Sequence, residues 1–292
     1  MNAIETHGLT KYYGKNKGIE HLDLQVAQGE FFGCIGPNGA GKSTTIRMLL
    51  GLITPTSGSA SLLGFDLSQR QEILRRVGYL PSETAFYSGM KVRDVLKLSA
   101  DLHGVDCRKE AQELCERLQL DSGKKVETLS FGNRKKVGIL CALQHNPELL
   151  ILDEPTGGLD PLMQRELFDI LQERNRAGTT VFLSSHVLSE IQRYCTRAAI
   201  LRAGHIIACD RVEALASTNA KRVVVRGTAD LDGLSGIRDR KNGEGNISFL
   251  YSGEMPALLQ RLAAGNVADL SVSEPDLEEV FLHYYQKGAE EV

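Results

Sequence analysis

At 292 residues the chain has room for one large domain, or for one of ordinary size with a small companion. A composition 42% apolar and 24% charged, with only eight prolines, excludes a disordered or fibrous chain. The formal net charge of -3, without any block of about five or six like charges, argues against nucleic acid as a partner.

The N-terminus, MNAIETHGLTKYYG, lacks a basic stretch followed by an apolar one, and no run of about eighteen apolar residues occurs, so the chain is expected to be neither secreted nor inserted directly in a membrane. Residues 22–35, LDLQVAQGEFFGCI, read as an alternating strand, a turn at Gln28-Gly29 and a short apolar strand that stops at Gly36. A helix, KSTTIRMLLGLI, is expected at once over 42–53. Then come a turn at Pro55 to Gly58, a strand in SASLLGF, a helix near LSQRQEILRRV and the short strand VGYLP.

From about residue 83 to 146 the pattern is helical, with Val92, Val95, Leu96, Ser99 and Leu102 on one face and Leu114 and Leu118 on another. The chain's nearest approach to a basic cluster, Lys124, Lys125, Arg134, Lys135 and Lys136, reads either as a solvated face or as a mild positive field near an anionic ligand. Strand-like runs resume in LLILD (149–153), TTVFLSS (179–185) and AAILRAGHIIACD (198–210), the last a hairpin turning at Ala203-Gly204. Continuous apolar runs separated by a helix over about 162–176 imply parallel strands covered on both faces. After residue 216, RVVVRG, NISFLYSG and NVADLSVSEPD read as strands and EMPALLQRLAAG and LEEVFLHYYQ as helices, a small α+β appendix. The six cysteines form no CxxC pair and lie mostly in apolar segments, so they read as small buried hydrophobes in a reducing compartment, and no metal site follows from them.

Residues 36–43, GPNGAGKS, fit G-x-x-x-x-G-K-[ST] between an apolar strand and a helix. In a loop of Gly36, Pro37, Asn38, Gly39, Ala40 and Gly41, backbone N–H groups can turn inward around phosphate oxygens, and the helix start adds positive potential. Lys42 is expected to reach the β and γ phosphates, Ser43 to offer a hydroxyl to magnesium and Thr44 to donate to the α phosphate. The strand in LLILDEP delivers Asp153 to its carboxyl end, where it can hold Mg2+, and Glu154 follows to polarise an attacking water.

GPNGAGKST, LSFGN (129–133), LLILDEPTGGLD and FLSSH, in that order and spacing, resemble the nucleotide-binding subunit of an ATP-binding cassette (ABC) transporter over residues from about 4 to 215. The resemblance implies an α/β P-loop NTPase domain at 1–215, with a mixed core sheet, an antiparallel β subdomain and a helical subdomain at about 83–146, then an accessory α+β domain at 216–292. It implies ATP and Mg2+ as ligands and a dimer in which each ATP lies between one subunit's phosphate loop and the other's LSFGN. Tyr13 matches the aromatic that stacks on adenine, with Tyr12 as the competing candidate. His186 matches the histidine that contacts the γ phosphate and orients the water with Glu154. Asp160 matches a loop that meets the opposite subunit, and it also suits an N-cap of the helix beginning PLMQRELF.

Two departures stand out. After LP the family places glutamine or glutamate as a magnesium and water sensor; here Ser82 stands there, so a water bridges it or Glu83 substitutes. In LSFGN, Ser130 keeps the hydroxyl and Gly132 the bare N–H, while Phe131 replaces a glycine and Asn133 a glutamine. If Phe131 keeps a negative φ, its ring can turn aside from phosphate.

The expected partners are a second ATPase subunit and a multi-span membrane permease, which would hold the chain at the inner face of the cell membrane from the cytoplasmic side. Phe86, Tyr87 and Met90 read as its contact, or alternatively as core under a loop. The C-terminal EPDLEEVFLHYY resembles tails of subunits that serve exporters. A soluble ABC ATPase acting on nucleic acid or in cofactor assembly is the rival reading; it calls for long coiled coils, a duplicated cassette or a basic surface.

Overall fold

The computed structural model describes residues 1–216, 221–243 and 245–273. These divide into two units, Met1–Arg211 and one beginning at Val212. The first opens on an antiparallel pair, β1 (Asn2–Tyr13) and β2 (Asn16–Ala27), ahead of the apolar strand β3 (Phe31–Ile35) and helix α1 (Lys42–Leu49). The helix is shorter than the 42–53 expected, because Gly51 takes a φ of +62° and turns the chain away. Next come β4 (Ser57–Leu62), β5 (Phe65–Asp66), α2 (Arg70–Arg76) and β6 (Val77–Leu80). β1 was not anticipated. Its alternation slips phase at register shifts between Thr6 and Leu9 and between Leu9 and Lys11.

The helical region holds α3 (Val92–His103), α4 (Arg108–Arg117) and α5 (Phe131–Leu143). Val92, Val95, Leu96 and Ala100 form the buried stripe of α3; Leu102, expected among them, is 77% exposed. The solvated-face reading of the basic cluster is also wrong for two members, since Lys135 and Lys136 are buried on α5. His103 stacks on His145 with ring centroids 3.7 Å apart, where burial first and His103 second push the His145 imidazole down to about 4. The unit continues through β7 (Leu149–Asp153), α6 (Pro161–Arg176), β8 (Thr180–Ser185), α7 (Leu188–Tyr194), β9 (Arg197–Arg202) and β10 (His205–Arg211). Arg117 on α4 reaches Glu166 and Glu173 on α6, at 2.6 Å each, tying the helical region to that helix.

Two sheets organise this unit. One is antiparallel, in the order β2-β1-β4-β5; the other runs β10-β9-β3-β8-β7-β6, parallel except for β10. β3, β7 and β8 are buried along their whole length, each full-size apolar side chain contributing about 1.5–3 kcal/mol. The β9–β10 hairpin turns at Ala203 and Gly204, both with positive φ, as a two-residue turn requires. The cysteines are unpaired, and although Cys34, Cys107 and Cys195 are buried as expected, Cys209 is exposed on the edge strand β10.

The second unit begins with α8 (Val212–Ala216) and carries β11 (Lys221–Thr228), β12 (Ile237–Gly243), β13 (Asn246–Tyr251), α9 (Met255–Ala263) and β14 (Asn266–Ser273). Its sheet is antiparallel, in the order β12-β13-β11-β14, over a core of Val223, Val225, Phe249, Tyr251, Leu258 and Leu262. The charged edge strand β12 was not anticipated. The helix expected in LEEVFLHYYQ lies outside the described residues.

Candidate functional site

Three adjacent parallel strands, β3, β8 and β7, end side by side, and the chain leaves them at Gly36, at His186 and just beyond Asp153. Outside the carboxyl ends of an open parallel sheet is where such folds bind ligands. Two of the three glycines in the loop after β3 leave no room for a side chain. A Cβ at Gly36 would lie 2.7 Å from the Leu201 carbonyl oxygen, and one at Gly41, with φ +110°, 2.6 Å from Ile19 Cγ2. Gly41 caps α1 without a side-chain hydrogen bond, so the helix start presents its backbone N–H groups uncapped by side chains, as an anion site needs. Ser43 and Thr44 follow within the first turn.

Lys42 is buried, and its ammonium donates to the carbonyls of Gly36 at 2.6 Å and Pro37 at 3.3 Å, inside the loop it closes. The same ammonium lies 3.3 Å from Glu154 Oε1, a charge contact without hydrogen-bond alignment. The other Glu154 oxygen, Oε2, is 2.6 Å from His186 Nδ1 and accepts from the His186 backbone N–H at 3.4 Å. Lys42, Glu154 and His186 thus form one continuous chain of contacts across three strand ends. Glu154 holds this place with a φ of +50°, a conformation glycine favours. Its N–H donates to the Ser184 carbonyl at 3.0 Å, which keeps the segment after β7 against β8.

Asp153 is 2% exposed, and Ser184 Oγ donates to its Oδ1 at 2.5 Å. The Ser43 hydroxyl and the Asp153 carboxylate make an oxygen-only donor set, which suits magnesium, and the buried, unbonded Glu154 Oε1 marks the spot as built for cationic or protic company. Ser82 is fixed through its backbone: its carbonyl accepts from Lys135 Nζ at 2.9 Å. Lys135, 1% exposed, also donates to the carbonyls of Pro81 at 3.1 Å and Asp153 at 3.5 Å. Burial lowers its ammonium to about 8, against the opposing pull of Asp153 and Glu154.

The two tyrosines part ways. Tyr12 donates its hydroxyl to Glu20 Oε1. Tyr13 is 46% exposed, with Lys11 Nζ 5.4 Å from its ring centroid, and a Cβ at Gly18 would meet Tyr13 Cε2 at 3.0 Å and Thr44 Cγ2 at 3.3 Å. The Tyr13 ring therefore borders the start of α1, with an open side for a planar base.

Ser130, Gly132 and Asp160 lie apart from this chain of contacts: among the described residues no hydrogen bond or ion pair joins them to Lys42, Glu154 or His186. Ser130 caps α5, its Oγ accepting from the Asn133 N–H at 3.3 Å, and Asp160 caps α6 by accepting from Leu162 and Met163 N–H groups at 3.1 Å each. Phe131 is the first residue of α5 and has no positive φ, so its ring turns aside as expected. It lies over Gly158, where a Cβ would sit 2.3 Å from Phe131 Cδ1. Gly132 is as tightly placed, 2.3 Å from added Cβ to the Gly158 carbonyl oxygen. Phe131 also lines a cavity of about 380 Å³ with Glu83, Thr84, Phe86 and Arg134. Tyr87 beside it is 75% exposed, which excludes the core reading for that residue.

Sequence reasoning missed Lys135, Ser184 and Glu190, which accepts from Ser185 Oγ at 2.8 Å. The pair of serines ending an otherwise apolar strand could have flagged Ser184; Lys135 showed only as a member of the basic cluster, between Arg134 and Lys136.

The chain is similar to known proteins. Residues 19–157 match the family described as ABC transporter. The bacitracin transport ATP-binding protein BcrA of Bacillus licheniformis is 43% identical over 211 residues, covering 70% of this chain and 68% of that protein. The Nod factor export ATP-binding protein I of Cupriavidus metallidurans is 33% identical over 294 residues, covering 97% of each. A solved ATP-binding subunit of an ABC transporter superposes with a TM-score of 0.70 at 30% identity, over 73% of this chain and 91% of that one.

Proposed function

Because the chain belongs to the ABC transporter ATP-binding family, we propose that it hydrolyses ATP at a site completed by a second cassette and thereby drives export through a separate membrane permease. The observation that carries this reading is the unbroken contact from Lys42 through Glu154 to His186. Lys42 and the N–H groups of the Gly36–Gly41 loop bind and neutralise the anionic phosphates. Ser43 and Asp153 would hold Mg2+, which would supply positive charge against that developing on the transferred phosphoryl group. Glu154 takes the proton of the attacking water, and His186, bonded to its carboxylate, sets the direction in which that carboxylate points. Tyr13 stacks on adenine, a contact of about 1–3 kcal/mol by analogy with base stacking in nucleic-acid binders.

Ser130 and Gly132 then serve the nucleotide of the second cassette. The Ser130 oxygen accepts from Asn133, and its O–H still has a proton to donate. Asp160 meets that second chain as well. The segment around Phe86, Tyr87 and Met90 takes a cytoplasmic helix of the permease. Among the described residues no helix is long and apolar enough to cross a membrane, and the crossing is assigned to the permease. Export is the direction named for the Nod factor relative.

Glu154→Gln tests the reading. It is expected to cut turnover by about a hundredfold or more while ATP still binds, so that the chain elutes as an ATP-dependent dimer in size-exclusion chromatography. Near-normal hydrolysis by this variant would sink it.

A further inference from the structure

The proposed chemistry leaves Lys135 without a task, although it is one of the most deeply buried side chains of the molecule. A buried ammonium carries a desolvation cost of several kcal/mol and persists only when its donors are satisfied. Lys135 has three N–H donors, and three carbonyl oxygens surround it: Pro81 at 3.1 Å, Ser82 at 2.9 Å and Asp153 at 3.5 Å. All three are neutral backbone groups. The Asp153 carboxylate finds its hydrogen bond elsewhere, on Ser184 Oγ, so Lys135 is not its counter-ion in a paired sense.

The same face of α5 is shaped to receive the segment that Lys135 grips. Gly138 lies three residues on, and a Cβ there would come within 2.5 Å of Thr84 Cγ2 and 2.8 Å of Leu80 Cδ1. At the far end of α5 a Cβ on Gly78 would lie 2.1 Å from the Ala142 carbonyl oxygen. β6 and the loop that leaves it therefore rest directly on α5, and Lys135 fastens that loop to the end of β7. We propose that Lys135 is a positioning residue, holding Ser82 and its loop in register with Asp153 and Glu154. It replaces, through the backbone of residue 82, the connection that a longer side chain at that position would make. A displacement of the loop then moves the carboxylates and, through α5, Ser130 at the helix start.

This rests on the reading that Asp153 and Glu154 act on the nucleotide, and the test separates the two. Lys135→Met keeps the stem and removes the donors. Hydrogen exchange is followed in the full chain without nucleotide or metal. Amides of residues 78–84 are expected to exchange about tenfold faster, those of α6 and β11 at their original rate. In the same variant kcat should fall about tenfold while nucleotide affinity holds, the signature of displaced rather than missing groups. Unchanged exchange at 78–84, unchanged kcat, or exchange raised equally throughout the first unit would each overturn the proposal. Should the methionine variant fail to fold, Lys135→Gln, with two donors on a shorter stem, is read by the same criteria. If Glu154→Gln hydrolyses normally, the functional reading fails, whereas the exchange result still reports on the loop.

Discussion

Three helices carry the candidate residues at their starts, and those starts are not alike. α1 starts at a left-handed glycine with no side chain capping it, whereas α5 and α6 are capped by Ser130 and Asp160 from their own chain. Around α1 the charged groups are already engaged with one another, Lys42 with Glu154 and Glu154 with His186. At the starts of α5 and α6 the capping side chains, Ser130 and Asp160, accept only from N–H groups of their own first turn. On the proposed reading the uncapped start of α1, beside Lys42 and Glu154, takes the phosphates, and the capped start of α5 lends its remaining donor to a neighbour. The contrast suits a protein that assembles one part of a reaction centre in each of two places.

The largest expected effect breaks the first region. Lys42→Ala removes the charge at one end of the contact chain and should lower turnover by about a thousandfold or more, measured as phosphate release. Turnover within tenfold of the original would dissolve the distinction between the two regions. Ser130→Ala acts on the second region, where loss of the cap should cost about 1 kcal/mol in denaturant unfolding. Its turnover should drop about tenfold, yet nucleotide binding to the isolated subunit should be unaltered; equal loss of binding would place Ser130 in the first region after all.

A further effect is a pH dependence arising in the helical region. Folding holds the His145 imidazole near 4, below its unfolded value of about 6.5, so the neutral form is favoured by the fold. Its contribution is complete above about pH 6.5 and declines by about 1.4 kcal/mol per unit as pH falls towards 4. His145→Leu should flatten that segment of the stability curve measured by urea unfolding. An undiminished slope would assign the acid sensitivity elsewhere.

Much of the first region could be read in advance because its residues are adjacent in sequence. A phosphate loop, an apolar strand ending in two carboxylates and a histidine after another strand each announce themselves within a few positions. What escaped notice depends on distant partners. Lys135 read either as part of a solvated face or as part of a positive field near an anion, and only carbonyls from residues 81, 82 and 153 explain its burial. Tyr12 and Tyr13 could be separated only by Glu20, which claims the first. β1 was obscured by its own bulges, and β12 by the charges that an edge strand carries towards solvent. Leu102 kept the helical period of its buried neighbours, but on the last turn of α3 it is exposed.

Glu154 sits in a backbone conformation that ordinary folding would assign to glycine or asparagine. The rest of the fold must therefore restrain it, through the strand before it and the Ser184 carbonyl that takes its N–H. Selection for a sturdier protein alone would have erased this side chain. That it stands there records a compromise between two pressures, one for a relaxed chain and one for a carboxylate aimed where a relaxed chain would not put it.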